Sequence, residues 1–372
     1  MKIMVLFIQF LSYHLARISA LADKYKTVGV EICSANEQSN IAIKQKEKYP
    51  FIWETLFNKR SLENILRKEQ KNRLINILEN YSPDVIMIPG WNHNFSNTAL
   101  RWAKQNNKIT ILMSDSKKDD FKRFFFREWL KRRIIRLFDG AIVGGASHKK
   151  YLEELGMSSD RIVLGYDVVD NNFIMEKVKK YLVESNRPFV KKYFLMINRF
   201  IKRKNISRVL EAYRIYRKEV KEISWDLVLC GCGKEEFSLR KKILKENIGG
   251  VHFTGYLLHD DICRYLAFAE VLIHAAYKEQ WGLVINEAMA AAKPVLVSLS
   301  CGCSSELVRN GENGLLFNPF DVIELANKMK DFTEGKYNLI LMGEESQKII
   351  NYWNPELFAN NISELIKRIK GQ

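Results

Sequence analysis

The sequence contains few cysteines and no apolar run long enough to cross a membrane. Its richest apolar stretch, 265–277, is interrupted by Glu270 and His274, whereas a spanning helix needs about 20 apolar residues. Six cysteines in 372 residues do not make a disulfide scaffold, and the two Cys-x-Cys pairs lack the spacing of common zinc sites. The apolar run 1–11 has no small-residue cleavage site after it, so we interpret it as a buried strand and not a signal peptide. We therefore expect a protein of the reducing cytoplasm.

The chain also lacks the glycine fingerprint of dinucleotide-binding enzymes. No G-x-G-x-x-G follows a predicted strand, which counts against an NAD or FAD enzyme. Hydrophobic residues make up 47% and charged residues 27% of the sequence, as in soluble globular proteins. At about 150 residues per domain, a length of 372 residues predicts two domains.

Positive charge is in excess, with a formal net charge of +16. Residues 117–136 carry nine basic and three acidic side chains. Apolar residues recur there at roughly helical spacing: Phe121, Phe125, Leu130, Ile134 and Leu137 or Phe138. A basic amphipathic helix of this kind can lie on an anionic membrane, although an ordinary surface helix has the same pattern. Nucleic acid is disfavoured as a partner because no nucleic-acid motif accompanies the charge.

Short apolar runs alternate with helical segments twice along the chain. The predicted strands are 2–9, 27–33, 85–89, 109–113 and 141–143, and then 193–197, 226–230, 251–253, 271–274, 294–298 and 315–317. Predicted helices between them include 14–24, 62–80, 96–105, 206–219, 260–269, 284–292 and 322–332. This alternation predicts an α/β protein with two Rossmann-like, doubly wound parallel-sheet domains facing a central cleft. Functional residues should follow the strands directly.

The boundary between the domains is predicted between residues 168 and 192. This region holds Asn171-Asn172 and then Ser185-Asn186-Arg187-Pro188, which is typical of a connection. We assign 1–170 to a first domain for the acceptor and 171–356 to a second domain for the donor. Residues 357–372 are predicted to form a helix, with packing back on the first domain as one option.

The strongest candidate site surrounds Gly282-Leu283, between Glu279 and Glu287. The segment follows the strand 271–274 and begins a helix. A helix N-terminus at Gly282 and Leu283 favours an anion such as a diphosphate, because its N–H groups are free and its dipole is positive. Glu287 could then reach ribose hydroxyls, and Glu279 the hydroxyls of a sugar. A capped amphipathic helix with incidental carboxylates is the alternative.

A second candidate, Arg199 with Lys204, follows the strand 193–197. A guanidinium and an ammonium suit the charge of a departing diphosphate. The alternative is a solvated basic loop.

Glycines and an aromatic residue follow the next two strands. Gly231 and Gly233 would let a flat base approach the backbone, and Tyr256, after Gly255, would lie where a nucleobase edge could meet backbone groups. A tight turn would explain the two glycines equally well, and a turn filled by a buried aromatic side chain would explain Tyr256 equally well.

In combination, these motifs resemble the retaining glycosyltransferases of family 4, which have the GT-B fold. The family's second domain has counterparts of Arg199…Lys204, Gly231-x-Gly233, Phe253-x-Gly255 and Glu279-x7-Glu287. It also has counterparts of the stretches 287–295 (EAMAAAKPV) and 306–314 (ELVRNGENG). The resemblance covers about residues 193–335 well, and the first domain matches only in pattern.

The sequence departs from the family pattern at several positions. Trp281 replaces Phe, Gln280 and Ala292 replace Gly, and His274-Ala275-Ala276 stands where Pro-Ser is usual. In the first domain, the loop 10–14 lacks the family's glycines, and Ser114-Asp115 replaces a His. Asp115 and His14 are candidate site residues there, with a helix cap and a surface histidine as the respective alternatives.

The resemblance implies transfer of a sugar from a nucleotide-diphosphate donor to an acceptor hydroxyl, with retention of the anomeric configuration. Fixed cations replace a metal, and no Asp-x-Asp follows a strand, so we predict no metal and no cofactor. Together with the basic helix, the resemblance implies a lipid-linked or glycan acceptor. It also implies peripheral attachment to the inner face of the cell membrane and a role in surface polysaccharide or glycolipid assembly. The alternatives are a non-catalytic binding protein on the same scaffold and a sugar-nucleotide epimerase.

Overall fold

The computed structural model describes residues 1–34, 46–120 and 125–371. The chain divides into two compact units: unit 1 comprises 1–170 with the residues from 354 onward, and unit 2 comprises Asn171–Trp353. Within the described ranges, no helix has both the length and the apolar character needed to cross a membrane.

Unit 1 is built on a parallel sheet of seven strands. Its strands are β1 (Lys2–Phe7), β2 (Lys26–Ser34), β3 (Ile52–Asn58), β4 (Val85–Pro89), β5 (Ile109–Ser114), β6 (Gly140–Val143) and β7 (Ile162–Leu164). They lie in the order β3-β2-β1-β4-β5-β6-β7. The central strand β1 is buried from Ile3 to Phe7, because helices cover both faces of such a sheet.

Among the described residues before 170, unit 1 has five helices. They are α1 (Ser12–Ala22), α2 (Arg67–Tyr81), α3 (Asn94–Gln105), α4 (Phe125–Ile135) and α5 (Ala146–Glu154). Helix α3 has one apolar face toward the sheet. Its buried apolar residues lie one to four positions apart: Phe95, Ala99, Leu100, Trp102 and Ala103.

Unit 2 repeats the same architecture with six parallel strands. These are β8 (Tyr193–Ile197), β9 (Asp226–Cys230), β10 (Val251–Gly255), β11 (Val271–His274), β12 (Val295–Ser298) and β13 (Gly314–Phe317). They lie in the order β10-β9-β8-β11-β12-β13. Because this order reverses between β8 and β11, the carboxyl ends of these two strands form a ligand-binding crevice in folds of this type.

The helices of unit 2 alternate with its strands. They are α6 (Asn171–Val183), α7 (Ile206–Val220), α8 (Glu236–Lys245), α9 (His259–Phe268), α10 (Leu283–Ala290), α11 (Ser304–Leu307), α12 (Val322–Thr333) and α13 (Leu339–Asn351). The buried residues of α7 include Val209, Leu210, Tyr213, Tyr216 and Val220, so this helix packs one amphipathic face on the core.

A last helix, α14 (Pro355–Lys370), belongs to unit 1 and packs on α1, β6 and β7. The side chain of Asn354 caps it by accepting a hydrogen bond from the backbone N–H of Leu357, at 2.8 Å. The units divide at Trp353 and not at the expected residue 356, because Asn354 and Pro355 begin this helix.

The predicted α/β fold with two Rossmann-like parallel sheets is confirmed. The strands β3 and β7 were not predicted. Both are edge strands: β3 is interrupted by the polar pair Glu54-Thr55, and β7 has only three residues. The helix predicted over 62–80 begins at Arg67, because Leu62–Asn64 form a separate 3-10 turn.

Helix α4 and the turn after it expose part of the predicted apolar stripe. Leu130 and Leu137 are 42% and 49% exposed, whereas Phe138, the alternative to Leu137 in that stripe, and the neighbouring Ile135 are buried. Phe121 lies outside the described residues. The apolar residues of this segment are therefore divided between the core of unit 1 and its surface, and attachment to a membrane stays a prediction.

Polar contacts account for the orientation of α4. The Tyr151 hydroxyl of α5 donates to Glu128 at 2.8 Å, and the Lys131 ammonium donates to the same carboxylate at 2.8 Å. These contacts turn Glu128 and Lys131 toward the body of unit 1, so that neighbouring apolar residues face outward.

Candidate active site

The loops after β8 and β11 lie at the crevice position of unit 2. The two strands are neighbours in the sheet, and β9 lies on the other side of β8. Residues 198–205 connect β8 to α7, and residues 275–282 connect β11 to α10. Two of the predicted motifs therefore share one edge of the sheet.

Asn205 ties the first of these loops to its neighbours. It adopts a left-handed conformation with φ of 63°. Its side-chain amide donates to the carbonyl oxygens of Ala275, at 3.1 Å, and Pro319, at 2.6 Å. Because Lys204 directly precedes it, this anchor holds Lys204 beside the segment that follows β11.

Lys204, Glu279 and His274 form a buried cluster. The Lys204 ammonium donates to Glu279 Oε2, and His274 Nε2 lies 3.2 Å from the same oxygen. Burial by itself would raise the pKa of the Glu279 carboxyl, but His274 and Lys204 together lower it well below its usual range. Glu279 is therefore an anion at neutral pH.

Gly282 joins this cluster at the start of α10. It is the N-cap residue, with φ of 107°, a left-handed value that favours glycine. A Cβ at this position would lie 3.6 Å from both Glu279 Cγ and His274 Nε2. The first N–H groups of a helix have no partner within the helix, so those that begin at Leu283 lie next to the cluster. The structure thus brings Lys204, Glu279, Gly282 and Leu283 together.

Arg199 is exposed at the end of β8. Among the described residues, its guanidinium forms no hydrogen bond or ion pair. The structure places Lys204, and not Arg199, against Glu279. The assignment of Arg199 to a diphosphate therefore stays a prediction.

Gly231 and Gly233 let the loop after β9 pack against the loop that carries Arg199. A Cβ at Gly231 would lie 1.9 Å from the carbonyl oxygen of Asn198, and one at Gly233 would lie 2.5 Å from that of Phe200. Phe200 N–H donates to the Cys232 carbonyl at 2.8 Å. This close backbone approach favours glycine at both positions, and their role beside a nucleobase stays a prediction.

Tyr256 follows β10 and is 55% exposed. Its side chain is therefore not buried in the turn, and it is accessible to a ligand. Its role with a nucleobase stays a prediction.

Glu287 is paired with a histidine from the preceding helix. His259 Nε2 lies 3.3 Å from Glu287 Oε1, and the His259 ring stacks on Phe173 with 5.2 Å between the ring centres. The helix α6, which holds Phe173, packs on both α9 and α10. This packing fixes the position of the Glu287 carboxylate near the first turn of α10.

Trp281 explains one departure from the resemblance. It is buried, and its indole N–H donates to Asn286 Oδ1 at 2.9 Å. Its ring stacks on Trp353, with 5.5 Å between ring centres and planes 13° apart. The larger aromatic residue is therefore part of the core of unit 2.

The candidates of unit 1 lie at the carboxyl ends of its own strands. His14 accepts the Leu11 N–H through Nδ1 at 3.2 Å, and its ring stacks on Phe7. Burial and the charge of Arg17 lower the pKa of His14 well below its usual value, so it is a neutral residue at the start of α1. Asp115 follows β5, and its role stays a prediction.

Sequence reasoning missed three residues of this site. His274 was noted only as a departure, and His259 was given no role. The buried side-chain amide of Asn198 has no hydrogen-bond partner within the described chain, which is costly unless a ligand or water supplies one. The position of Asn198 and His274 at strand ends was the available signal, whereas nothing in the sequence pairs His259 with Glu287.

Comparisons with known proteins agree with the fold. Residues 178–353, just under half of the chain, match the family model "Glycosyl transferases group 1". Sucrose-phosphate synthase from Thermosynechococcus elongatus has a TM-score of 0.77 at 17% identity, covering 100% of this chain and 99% of its own. Anabaena HepE in complex with UDP has a TM-score of 0.73 at 17% identity, covering 99% and 100%.

A curated relative from Campylobacter jejuni is N,N'-diacetylbacillosaminyl-diphospho-undecaprenol alpha-1,3-N-acetylgalactosaminyltransferase. It is 23% identical, over 84% of each chain. For seven other curated relatives, the matched segment spans 60% of the relative's length or less. The fold is therefore that of the GT-B glycosyltransferases, and the comparisons support the group 1 superfamily through the match over unit 2.

Proposed function

We propose that this protein is a retaining glycosyltransferase of family 4 that uses a nucleotide-diphosphate sugar. The observation that carries the proposal is the meeting of Lys204, Glu279 and the N-terminus of α10 at the crevice of unit 2. These groups supply a cation, a hydroxyl acceptor and a row of N–H donors at one place. All of them lie inside the segment that matches the group 1 family model.

The chemistry follows from these groups. The diphosphate binds at the Leu283 end of α10 and to Lys204, which exchanges the Glu279 carboxylate for a phosphate oxygen. Arg199 adds a second cation. As the bond between the anomeric carbon and the diphosphate breaks, fixed positive charge stabilises the leaving group. The acceptor oxygen bonds to the anomeric carbon on the same face, and its proton passes to the leaving phosphate.

Glu287 and Glu279 have separate roles in the proposal. Glu287, held by His259, accepts hydrogen bonds from ribose hydroxyls. Glu279 accepts from the sugar and orients it. The HepE complex makes UDP the first nucleotide to test.

A thermal-shift screen with UDP, GDP, ADP and dTDP tests the donor site. A ligand at 100 times its Kd stabilises the folded protein by about 2.7 kcal/mol, which shifts the melting temperature measurably. The matching nucleotide sugar should then release its nucleoside diphosphate, and Arg199→Ala should abolish this release. Binding without any turnover would favour the non-catalytic alternative.

We further propose that the acceptor is lipid-linked and that α4 lies on an anionic membrane surface. The outer face of α4 and the turn after it expose Phe126, Trp129, Leu130 and Leu137 by 67%, 39%, 42% and 49%. Arg133 stacks over the Trp129 ring at 3.8 Å. Aromatic rings beside basic groups are typical of membrane interfaces. The name of the Campylobacter relative includes a diphospho-undecaprenol.

Flotation with anionic and neutral vesicles tests this surface. The variant Arg132→Glu/Arg133→Glu should lose binding to anionic vesicles, because each basic residue contributes about 1 kcal/mol near such a surface. Lys241→Glu/Lys245→Glu on α8 makes the same charge change on exposed residues of unit 2 and should bind normally. Equal binding by both variants would remove the membrane proposal.

A further inference from the structure

One oxygen of Glu279 is held by two donors, and the other is not. Oε2 contacts both Lys204 and His274. Among the described residues, Oε1 accepts no hydrogen bond. The carboxylate therefore presents one oxygen to a further donor.

The backbone of Glu279 is fixed independently of its side chain. Its carbonyl accepts the Gly302 N–H at 3.1 Å, and the residue bridges to Cys301. Movement at this position is therefore left to the side-chain torsions. Lys204 and His274 set the direction of the carboxylate.

A bound diphosphate would compete for Lys204 but not for His274. An anionic phosphate competes with the Glu279 carboxylate for the Lys204 ammonium, because both are anions that bind the same cation. His274 is 1% exposed and is the last residue of β11. A ligand at the start of α10 leaves its contact with Glu279 in place.

The buried environment selects the form of His274 that can donate. Its Nδ1 is buried without a hydrogen-bond partner within the described chain, so a proton there would be costly. Burial, together with the charge of Lys204, lowers the pKa of His274. The imidazole is therefore neutral with its proton on Nε2, which donates to Glu279.

We propose that His274 is a positioning residue that holds Glu279 toward the donor sugar once the diphosphate has taken Lys204. With Oε2 fixed by His274, Oε1 accepts a hydroxyl of the sugar. The inference rests on the proposed function, and it makes His274 a determinant of sugar orientation and not of nucleotide binding.

Two substitutions separate this role from a structural one. His274→Leu fills the site without a donor, and His274→Gln retains an N–H at a similar reach. Both are compared with the wild-type protein in melting temperature, in kcat and KM with the nucleotide sugar, and in affinity for the nucleoside diphosphate found by the thermal-shift screen. The diphosphate without its sugar serves as the internal control, because it does not contact Glu279.

His274→Leu should lower kcat/KM for the nucleotide sugar about 10- to 100-fold, the range for a lost hydrogen bond to a charged group. The nucleoside diphosphate affinity should change less than about 3-fold, and His274→Gln should recover most of the turnover. Three outcomes would overturn the inference. They are an equal loss of sugar turnover and diphosphate affinity in His274→Leu, an equal loss of turnover in the Leu and Gln variants, and unchanged turnover in the Leu variant. Absence of turnover in the wild-type protein overturns the proposed function instead.

The ¹⁵N chemical shifts of the His274 ring give a readout that does not depend on turnover. The expected pattern is a protonated Nε2 and an unprotonated Nδ1 at neutral pH, both with and without the nucleoside diphosphate. A proton on Nδ1 would contradict the donor role. His274→Gln identifies the resonance by its disappearance.

Discussion

The indole N–H of Trp281 donates to Oδ1 of Asn286 across 2.9 Å, and both residues are buried. Phe at position 281 could fill most of this space but could not donate. Trp281→Phe should therefore lower the free energy of unfolding by about 1–3 kcal/mol, the cost of a buried acceptor that loses its donor. Urea unfolding measures the change. Trp129→Phe, on the exposed face of α4, is the matched control and should stay within about 0.5 kcal/mol of wild type.

The stability of unit 2 should depend on pH through His274. Its pKa is lowered in the folded protein by burial and by Lys204, against which Glu279 acts in the opposite direction. Below the unfolded-state pKa of about 6.5, the unfolded chain binds a proton that the folded protein excludes, so stability falls as the pH falls. His274→Gln lacks this dependence. The difference in melting temperature between wild type and His274→Gln should therefore shift against the wild type from pH 7.5 to pH 5; a constant difference would mean that the pKa of His274 is the same in the folded and unfolded states.

A methyl group at Gly231 should displace the loop that carries Arg199. The added Cβ would lie 1.9 Å from the Asn198 carbonyl oxygen, and φ is +129°. Gly231→Ala should cost about 1–3 kcal/mol of stability and weaken nucleoside diphosphate binding. Gly249→Ala is the control, because a Cβ there meets nothing within 4 Å. Unchanged melting and binding in Gly231→Ala would contradict the close packing of the two loops.

Lys131 and Arg132 are neighbours in sequence, but we expect substitution of Lys131 to affect stability and substitution of Arg132 to affect vesicle binding. Lys131 contacts Glu128 and Tyr151 on the inner side of α4, whereas Arg132 is exposed. Lys131→Met should lower stability by about 1 kcal/mol and leave vesicle binding unchanged. Arg132→Met should leave stability unchanged and weaken binding to anionic vesicles by about 1 kcal/mol. Calorimetry measures the stability of both variants, and flotation measures their vesicle binding. A stability loss in Arg132→Met together with weaker vesicle binding in Lys131→Met would mean that α4 is oriented differently.

Glu287 should make binding depend on the sugar of the nucleotide. If its carboxylate accepts from ribose hydroxyls, wild type should prefer UDP to 2′-deoxy-UDP by about 10-fold, and Glu287→Ala should bind both equally weakly. Titration calorimetry gives the four affinities. Glu312→Ala removes an exposed carboxylate and should keep the preference.

The sequence predicted the parts of the molecule that depend on local pattern. Apolar runs located the inner strands, and because ligands bind at the carboxyl ends of parallel strands, residues after them, such as Lys204 and Glu279, were expected to be functional. The edge strand β3 carries polar residues and was not recognised. The orientation of α4 depends on Tyr151, a partner in another helix, and the pairing of Glu287 with His259 depends on the packing of α6. Such contacts are tertiary and leave no periodic signal.

Helix α14 gives the chain an unusual order of assembly. Phe358, Ile362 and Leu365 are fully buried, and Leu365 and Ile369 approach Gly140 of β6, so unit 1 needs residues that come after the whole of unit 2. During synthesis, unit 2 is complete while unit 1 still exposes the apolar surface of β6 and β7. A chain truncated after residue 353 would therefore contain all of unit 2 but leave apolar surface of unit 1 uncovered.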